Sequence, residues 1–277
     1  MGRTGKTGAR RADFLRGTAI VGTGLALAGM DGERAHAARK KDVVQEARGI
    51  LATLLVLERL TTTLYYKGLT TPGVMRNSSL AGPSGNPNNP GLPPAGNPQQ
   101  VRYLQAALDA EVKHSAALER VGAASPYTHF YFPVETFQRL GSLSNHASFL
   151  GVIDMLETIC VGAYGAAAVA FIQLGRPDLA ETAAQIMGVE SEHRTLARVV
   201  GNITPANNHT LETAPFSVVD EATRKITPFL TGKHYLFASR ALPAVATPSR
   251  GEVARVVGAH GTHLVPSFAL NLKGGHR

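Results

Sequence analysis

Two copies of Glu-x-x-His, Glu111/His114 and Glu190/His193, each follow a lone glutamate, Glu58 and Glu157, that sits in an apolar helical stripe. Read at the spacing of one helix face, i±3, i±4 and i±7, the neighbours of Glu58 are Leu51, Leu54, Leu55, Thr61, Thr62 and Tyr65. Those of Glu111 are Leu104, Ala107, Leu108, His114, Ser115 and Leu118, so glutamate and histidine share an inward face. Glu157 has Leu150, Ile153, Asp154, Cys160, Val161 and Tyr164 around it, and Glu190 has Ala183, Ile186, Met187, His193, Arg194 and Ala197. A solvated glutamate would have polar neighbours at these offsets, and most of these are apolar. Carboxylates and imidazoles buried together in a helical core are prohibitively costly as bare charges, because each unpaired carboxylate loses its hydration. A pair of divalent cations removes that cost, so the constellation reads as a dimetal site. One Glu-x-x-His alone would be weak evidence, since such pairs arise on solvated faces. The ordered set Glu, Glu-x-x-His, Glu, Glu-x-x-His is far more specific. A bundle that keeps these residues without metal is the alternative.

The punctuation between these stretches predicts four helices: Asp42 to Tyr66, Pro98 to Gly122, His146 to Leu174, and a fourth ending near Val200 at Gly201-Asn202. A loop from Lys67 to Asn97, rich in Pro, Gly and Asn, is expected neither to be helical nor to pair as a strand. The link from Ala123 to about Asn145 is long enough to cross a bundle. Gly175-Arg176-Pro177-Asp178 reads as a stop and restart, with Asp178 as a cap. From Ile203 the prolines multiply. A short helix over Val218 to Leu230, broken at Pro228, and another over Arg250 to Val257 are expected, in an extension wrapped on the bundle. The absence of Trp and the periodic Ala and Leu stretches favour an all-α bundle over a sheet protein.

Ferritin-like dimetal carboxylate bundles use this ligand order, a Glu from each of two helices and a Glu-x-x-His from each of the others. The chain resembles bacterial ferritin-like domain proteins, the group that includes plant desiccation-related proteins. The resemblance rests on Ile50 to Tyr66 (ILATLLVLERLTTTLYY), Glu111-Val112-Lys113-His114, Met155 to Tyr164 (MLETICVGAY) and Glu190-Ser191-Glu192-His193. It implies a ferritin-like four-helix bundle over 38–202, with a long crossover between the second and third helices and an irregular extension over 203–277. Tyr65 and Tyr164 each stand seven residues after a lone glutamate, so the halves read as a diverged repeat of helix pairs. Each tyrosine either packs the core with a satisfied hydroxyl or supports the site from behind its ligands.

Residues 1–37 look like an export signal. Arg10-Arg11 precede Phe14-Leu15, an apolar stretch runs from Gly17 to Met30, and Ala35-His36-Ala37 supplies a small-x-small cleavage pattern. This resembles a twin-arginine signal, with Asp13 departing from the usual apolar residue; the ordinary secretory route or an uncleaved anchor stays open. The expected location is periplasmic, extracellular or in the cell envelope. Removing the segment takes away six Lys/Arg and three Asp/Glu and lowers the formal charge from +8 to +5. That modest charge is scattered, and the run Arg39-Lys40-Lys41 reads as a solvated tail, so nucleic acid is not an implied partner.

Cys160 is the only cysteine, which excludes an intrachain disulfide. It reads as a small buried apolar residue, with a thiolate ligand as the sharper alternative. The uncharged run Thr158 to Leu174 approaches a membrane span but falls short and carries Gln173. A helix buried on most sides of a soluble bundle is expected there, with no stable membrane span after signal cleavage; its glycines suit close helix packing or a homo-oligomer contact. His260 and His263 have a spacing that could hold a metal, yet flanking glycines favour a surface loop. His129, His146, His209 and His234 carry no signal singly.

In the bundle that the resemblance implies, Glu58 and Glu157 are terminal ligands of one metal each, Glu111 and Glu190 bridge the pair, and His114 and His193 cap one metal each. Carboxylates with imidazole favour two iron or two manganese ions per chain. Ferrous oxidation, or reduction of oxygen or peroxide, in stress defence or iron handling is the expected function. Redox-inert metal binding related to desiccation, and a structural envelope role with a vestigial site, are the alternatives. A ferritin cage is disfavoured by the long loop and by the extension, which a shell of compact bundles would have to accommodate.

Overall fold

A computed structural model describes residues 32–76, 98–203, 206, 215–233 and 242–258. In chain order the elements are α1 (Gly32–Leu69), α2 (Pro72–Met75), α3 (Pro98–Arg120), β1 (His129–Tyr131), a 3-10 turn (Val134–Phe137), α4 (Phe149–Gln173), α5 (Pro177–Val200), α6 (Val219–Thr231), β2 (Ala244–Ala246) and α7 (Arg250–Val257). Among the described residues the fold is all-α apart from one pair of three-residue strands. Helices α1, α3, α4 and α5 form a four-helix bundle in which α1 pairs with α3, α4 with α5, and the pairs meet through α1 against α4 and α3 against α5. Leucines at helical spacing on α1 (Leu51, Leu54, Leu55) meet Phe149, Leu150, Ile153 and Leu156 of α4 in one continuous core.

Several boundaries differ from expectation. Helix α1 starts at Gly32, so Ala35–Ala37 lie in its first turns, and it runs past Tyr66 into the expected loop, ending at Leu69. Its last carbonyls are met by Thr70 Oγ1 on Tyr66 O (2.8 Å) and Thr71 Oγ1 on Lys67 O (2.6 Å), and Pro72–Met75 then forms a further turn. Gly68 belongs to the helix for a packing reason, since a Cβ there would meet the Phe149 ring at 2.1 Å. Residues 77–97 of that loop lie outside the described residues, as do His209, His234, His260 and His263. Helix α4 starts at Phe149, three residues later than expected, with Ser148 as its cap. The cap of α5 is Arg176 and not Asp178; Asp178 sits in the first turn, where it pairs with the Arg176 guanidinium at 2.6 Å. Pro228 does not break α6. The helix continues to Thr231, with Phe229 and Leu230 buried on its inner face, and Gly232 ends it at φ 71°.

The C-terminal residues share the bundle's core. Helix α6 lies on α4 and α1, α7 lies on α3, and β1 pairs antiparallel with β2 in the register Phe130 to Val245. Glycines of α4 admit close neighbours: a Cβ at Gly162 would meet the Phe216 ring at 2.5 Å, and one at Gly165 would meet Met187 Sδ at 3.4 Å. By length and composition α4 could cross a membrane, but most of its apolar stretch is buried in the bundle. Val169 and Ile172 stay exposed near its end.

Candidate metal centre

Each bundle helix brings one face to the middle of the molecule. Glu58 (α1), Glu111 (α3), Glu157 (α4) and Glu190 (α5) are 0% exposed, His114 is 1% and His193 5%. All six sequence-selected side chains therefore meet in one buried cluster. Their ligand atoms form two overlapping groups, Glu58, Glu111, His114, Glu190 and Glu111, Glu157, Glu190, His193, each with its atoms within 4.8 Å of one another. Glu111 and Glu190 belong to both groups.

The distances explain what such a cluster lacks. His114 Nδ1 stands 3.2 Å from Glu58 Oε2 and 3.0 Å from Glu190 Oε1. His193 Nδ1 stands 2.9 Å from Glu111 Oε1, 3.2 Å from Glu190 Oε2 and 3.9 Å from Glu157 Oε1. The two imidazoles lie 6.3 Å apart and close to parallel, at 29°. One ring nitrogen carries at most one proton, so it cannot satisfy this many acceptors in line. Glu111 Oε1 and Glu190 Oε1 each have a histidine nitrogen within 3.0 Å and still accept no aligned hydrogen bond, and Glu157 Oε2 has no partner either. His114 Nδ1 bonds Glu58 Oε2 and His193 Nδ1 bonds Glu190 Oε2, which leaves Glu111 Oε1, Glu157 Oε2 and Glu190 Oε1 without a hydrogen bond among the described residues. A divalent cation in each ligand group would satisfy these orphaned atoms, and the donor set of carboxylate and imidazole suits one, so the residues present fit a metal pair.

Around the cluster, hydroxyls hold the carboxylates. Tyr65 donates to Glu157 Oε1 at 2.6 Å and Tyr164 donates to Glu58 Oε1, so each tyrosine reaches across to the glutamate of the other half. Thr61 donates to Glu111 Oε2. Thr61 follows Glu58 by three residues, as Cys160 follows Glu157, so the repeat places a hydroxyl on one side and a thiol on the other. Burial, then the charge of Glu190, pushes the Cys160 thiol up, and Cys160 belongs to neither ligand group. Thr61 was visible in the sequence only as a neighbour at i+3; that it holds Glu111 depends on the approach of α3. Also unforeseen is the bridge from Asp154 on α4 to Arg194 (3.6 Å) and the buried Arg198 (3.3 Å) on α5, one turn from Glu157.

Electrostatics follow the same geometry. Burial, then the charges of Glu190 and Glu111, raises the Glu58 carboxyl well above the usual range, and burial with Glu111 and Glu190 does the same at Glu157. Burial would also raise Glu190, but His114 and His193 outweigh it and hold that group low. For His114 burial works downward, and the neighbouring Glu58 and Glu190 lift it to about 10. His193 is lifted likewise by Glu111 and Glu190. Burial and nearby carboxylates raise both tyrosines, which therefore stay protonated as donors.

The fold and cluster define a class: a four-helix bundle whose middle holds a carboxylate and histidine set compatible with two metal ions. The model of the ferritin-like domain family matches residues 46–202, and the chain belongs to that family. Comparison with curated proteins and with solved structures returns no match.

Proposed function

We propose that this protein binds two metal ions, iron or manganese, and uses them in ferrous oxidation or in the reduction of peroxide or oxygen. The observation that carries the reading is the membership of Glu111 and Glu190 in both ligand groups, which is the arrangement bridging carboxylates require. Glu58 with His114 would complete one metal and Glu157 with His193 the other. Two adjacent redox ions, when bound, supply a pair of electrons to one small oxidant. The chain's own residues do the rest. Tyr65 and Tyr164 orient the terminal carboxylates, Thr61 orients Glu111, and burial keeps bulk water from the cluster. Access is restricted to small molecules, since no ligand side chain exceeds 5% exposure. Ferrous-oxidation and peroxide-consumption assays on the metal-loaded chain test this. Glu111→Ala should abolish both metal and activity, and unchanged activity in that variant would refute the redox role.

The burial of the cluster across all four bundle helices also favours a second reading, a redox-inert metal that staples the bundle, as in a desiccation-related role. Zinc in protein from the native host, with no turnover after reloading with iron or manganese, would select it. Export is proposed on the Arg10-Arg11 pair, the apolar stretch after it and Ala35-His36-Ala37. A mature N-terminus near Ala38 in host extracytoplasmic fractions would support it, and an intact Met1 chain in the cytoplasm would refute it.

A further inference from the structure

Beside the bundle's first helix pair lies a cavity of about 320 Å³, between α1, α3 and the segment that leads into α7. Thr62 of α1 and Ser115 of α3 line it, 4% and 9% exposed, and neither hydroxyl has a hydrogen-bond partner among the described residues. Helical hydroxyls commonly bond the carbonyl four residues back, as Thr63 does on the same helix. Thr62 and Ser115 forgo that bond. A buried hydroxyl left unmet costs about 1–3 kcal/mol, so a pair of them on one cavity implies a polar occupant.

The charges say which kind. Arg59 of α1 and Arg250 at the start of α7 line the same cavity and clamp Glu119 between them, at 2.9 Å on one oxygen and 3.0 Å on the other. Both carboxylate oxygens are thereby engaged, and although Arg59 also donates to the Ser125 and Tyr127 carbonyls at 3.4 Å and Glu252 stands behind Ser249, the side chains that line the cavity carry two guanidiniums against one carboxylate, an excess of one positive charge. A cation would meet that excess unfavourably, and a neutral molecule would leave it unused. The volume sits at the low end of the range for small-ligand sites, which excludes a large cofactor.

We infer that this cavity binds a small oxyanion, either inorganic phosphate or a short organic carboxylate, which the hydroxyls of Thr62 and Ser115 and the guanidiniums of Arg59 and Arg250 receive. The C-terminal extension then completes a binding site, since Arg250 comes from it. Thr62 and Ser115 stand one helical turn after Glu58 and Glu111, so the anion is held beside the carboxylate cluster without needing a metal there.

Calorimetric titration of the full chain with inorganic phosphate, and separately with succinate, tests the site. Saturable, stoichiometric binding is expected, weakened on the order of tenfold or more in Arg250→Ala, where a charge-assisted hydrogen bond is lost. Arg250 is 69% exposed at its side chain, so this variant should keep the helical circular dichroism of the parent. Thr62→Val should weaken binding as well. Binding of phosphate alone assigns a phosphate ligand, and binding of succinate alone assigns an organic acid. No binding of either by the folded chain, or binding indifferent to both substitutions, as at the metal centre, would overturn the inference.

Discussion

Tyr164 of α4 holds Glu58 of α1, and Tyr65 of α1 holds Glu157 of α4, so each of these two carboxyl groups is held by a tyrosine from the other helix pair. Removing one hydroxyl, as in Tyr164→Phe, leaves a buried carboxyl with one donor fewer. Urea denaturation of the metal-free variant should show a loss of about 1–3 kcal/mol; an unchanged midpoint would mean that the hydroxyl only fills space. The raised groups also set a pH dependence. Glu58 and Glu157 hold their protons more tightly folded than unfolded, so their stabilising contribution is complete below the ordinary carboxyl range and is lost as pH rises through their raised values. His114, at about 10, and His193 act in the same direction above the ordinary imidazole range. Glu190 opposes them only at the acid end, where its contribution is lost as pH falls. The melting temperature of the metal-free chain should therefore fall between about pH 5 and about pH 9, and added manganese should flatten or reverse the trend, since deprotonated ligands bind metal. A metal-free melting temperature that rises over this window would contradict the assignment of charges. The six clustered residues were legible in the sequence because a carboxylate in an apolar stripe is anomalous wherever the helix packs. The crossing of the tyrosine bonds was not, because it depends on how two helix pairs face each other.

At the scale of elements, glycines separate packing from propensity. Gly151 opens α4 against Asn145, and a Cβ there would lie 2.0 Å from a backbone carbonyl oxygen. Gly151→Ala should cost about 1–3 kcal/mol or more, because backbone and not a flexible side chain must yield. Gly188 is exposed within α5 and a Cβ there meets nothing within 4 Å, so Gly188→Ala should stabilise by about 1 kcal/mol. Chemical denaturation of the two variants checks both signs, and a shared sign would contradict the packing described. The bundle helices were readable from apolar spacing of 3.6 residues, which needs no knowledge of a partner. Strands β1 and β2 were not readable, since three residues carry no period and Phe130 meets Val245 only across the fold. The survival of α6 through Pro228 was hidden for a related reason, as burial of Phe229 and Leu230 overrides a local helix breaker.

For the whole molecule, the extension is part of one core. Val219, Ala222, Ile226, Phe229 and Leu230 of α6 are buried with the bundle leucines, and Phe216 occupies the space at Gly162. A chain ending at Ile203 should expose that face of α4 and α1, with a lower melting temperature and loss of soluble monomer on size exclusion; an equally stable truncated bundle would show the extension to be dispensable. Composition alone could not have shown this, because the proline-rich stretch after Ile203 reads as irregular until its apolar residues are matched to α4. The burial of four carboxylates in the middle of the bundle is the fact everything else depends on, and cations are the proposed reason it is tolerated. Elemental mass spectrometry of the protein from its native host, purified without chelator, measures that directly. About two iron or manganese ions per chain are expected, falling to near none in Glu111→Ala because that residue belongs to both ligand groups. A metal-free native chain, or metal content unchanged by Glu111→Ala, would contradict the account.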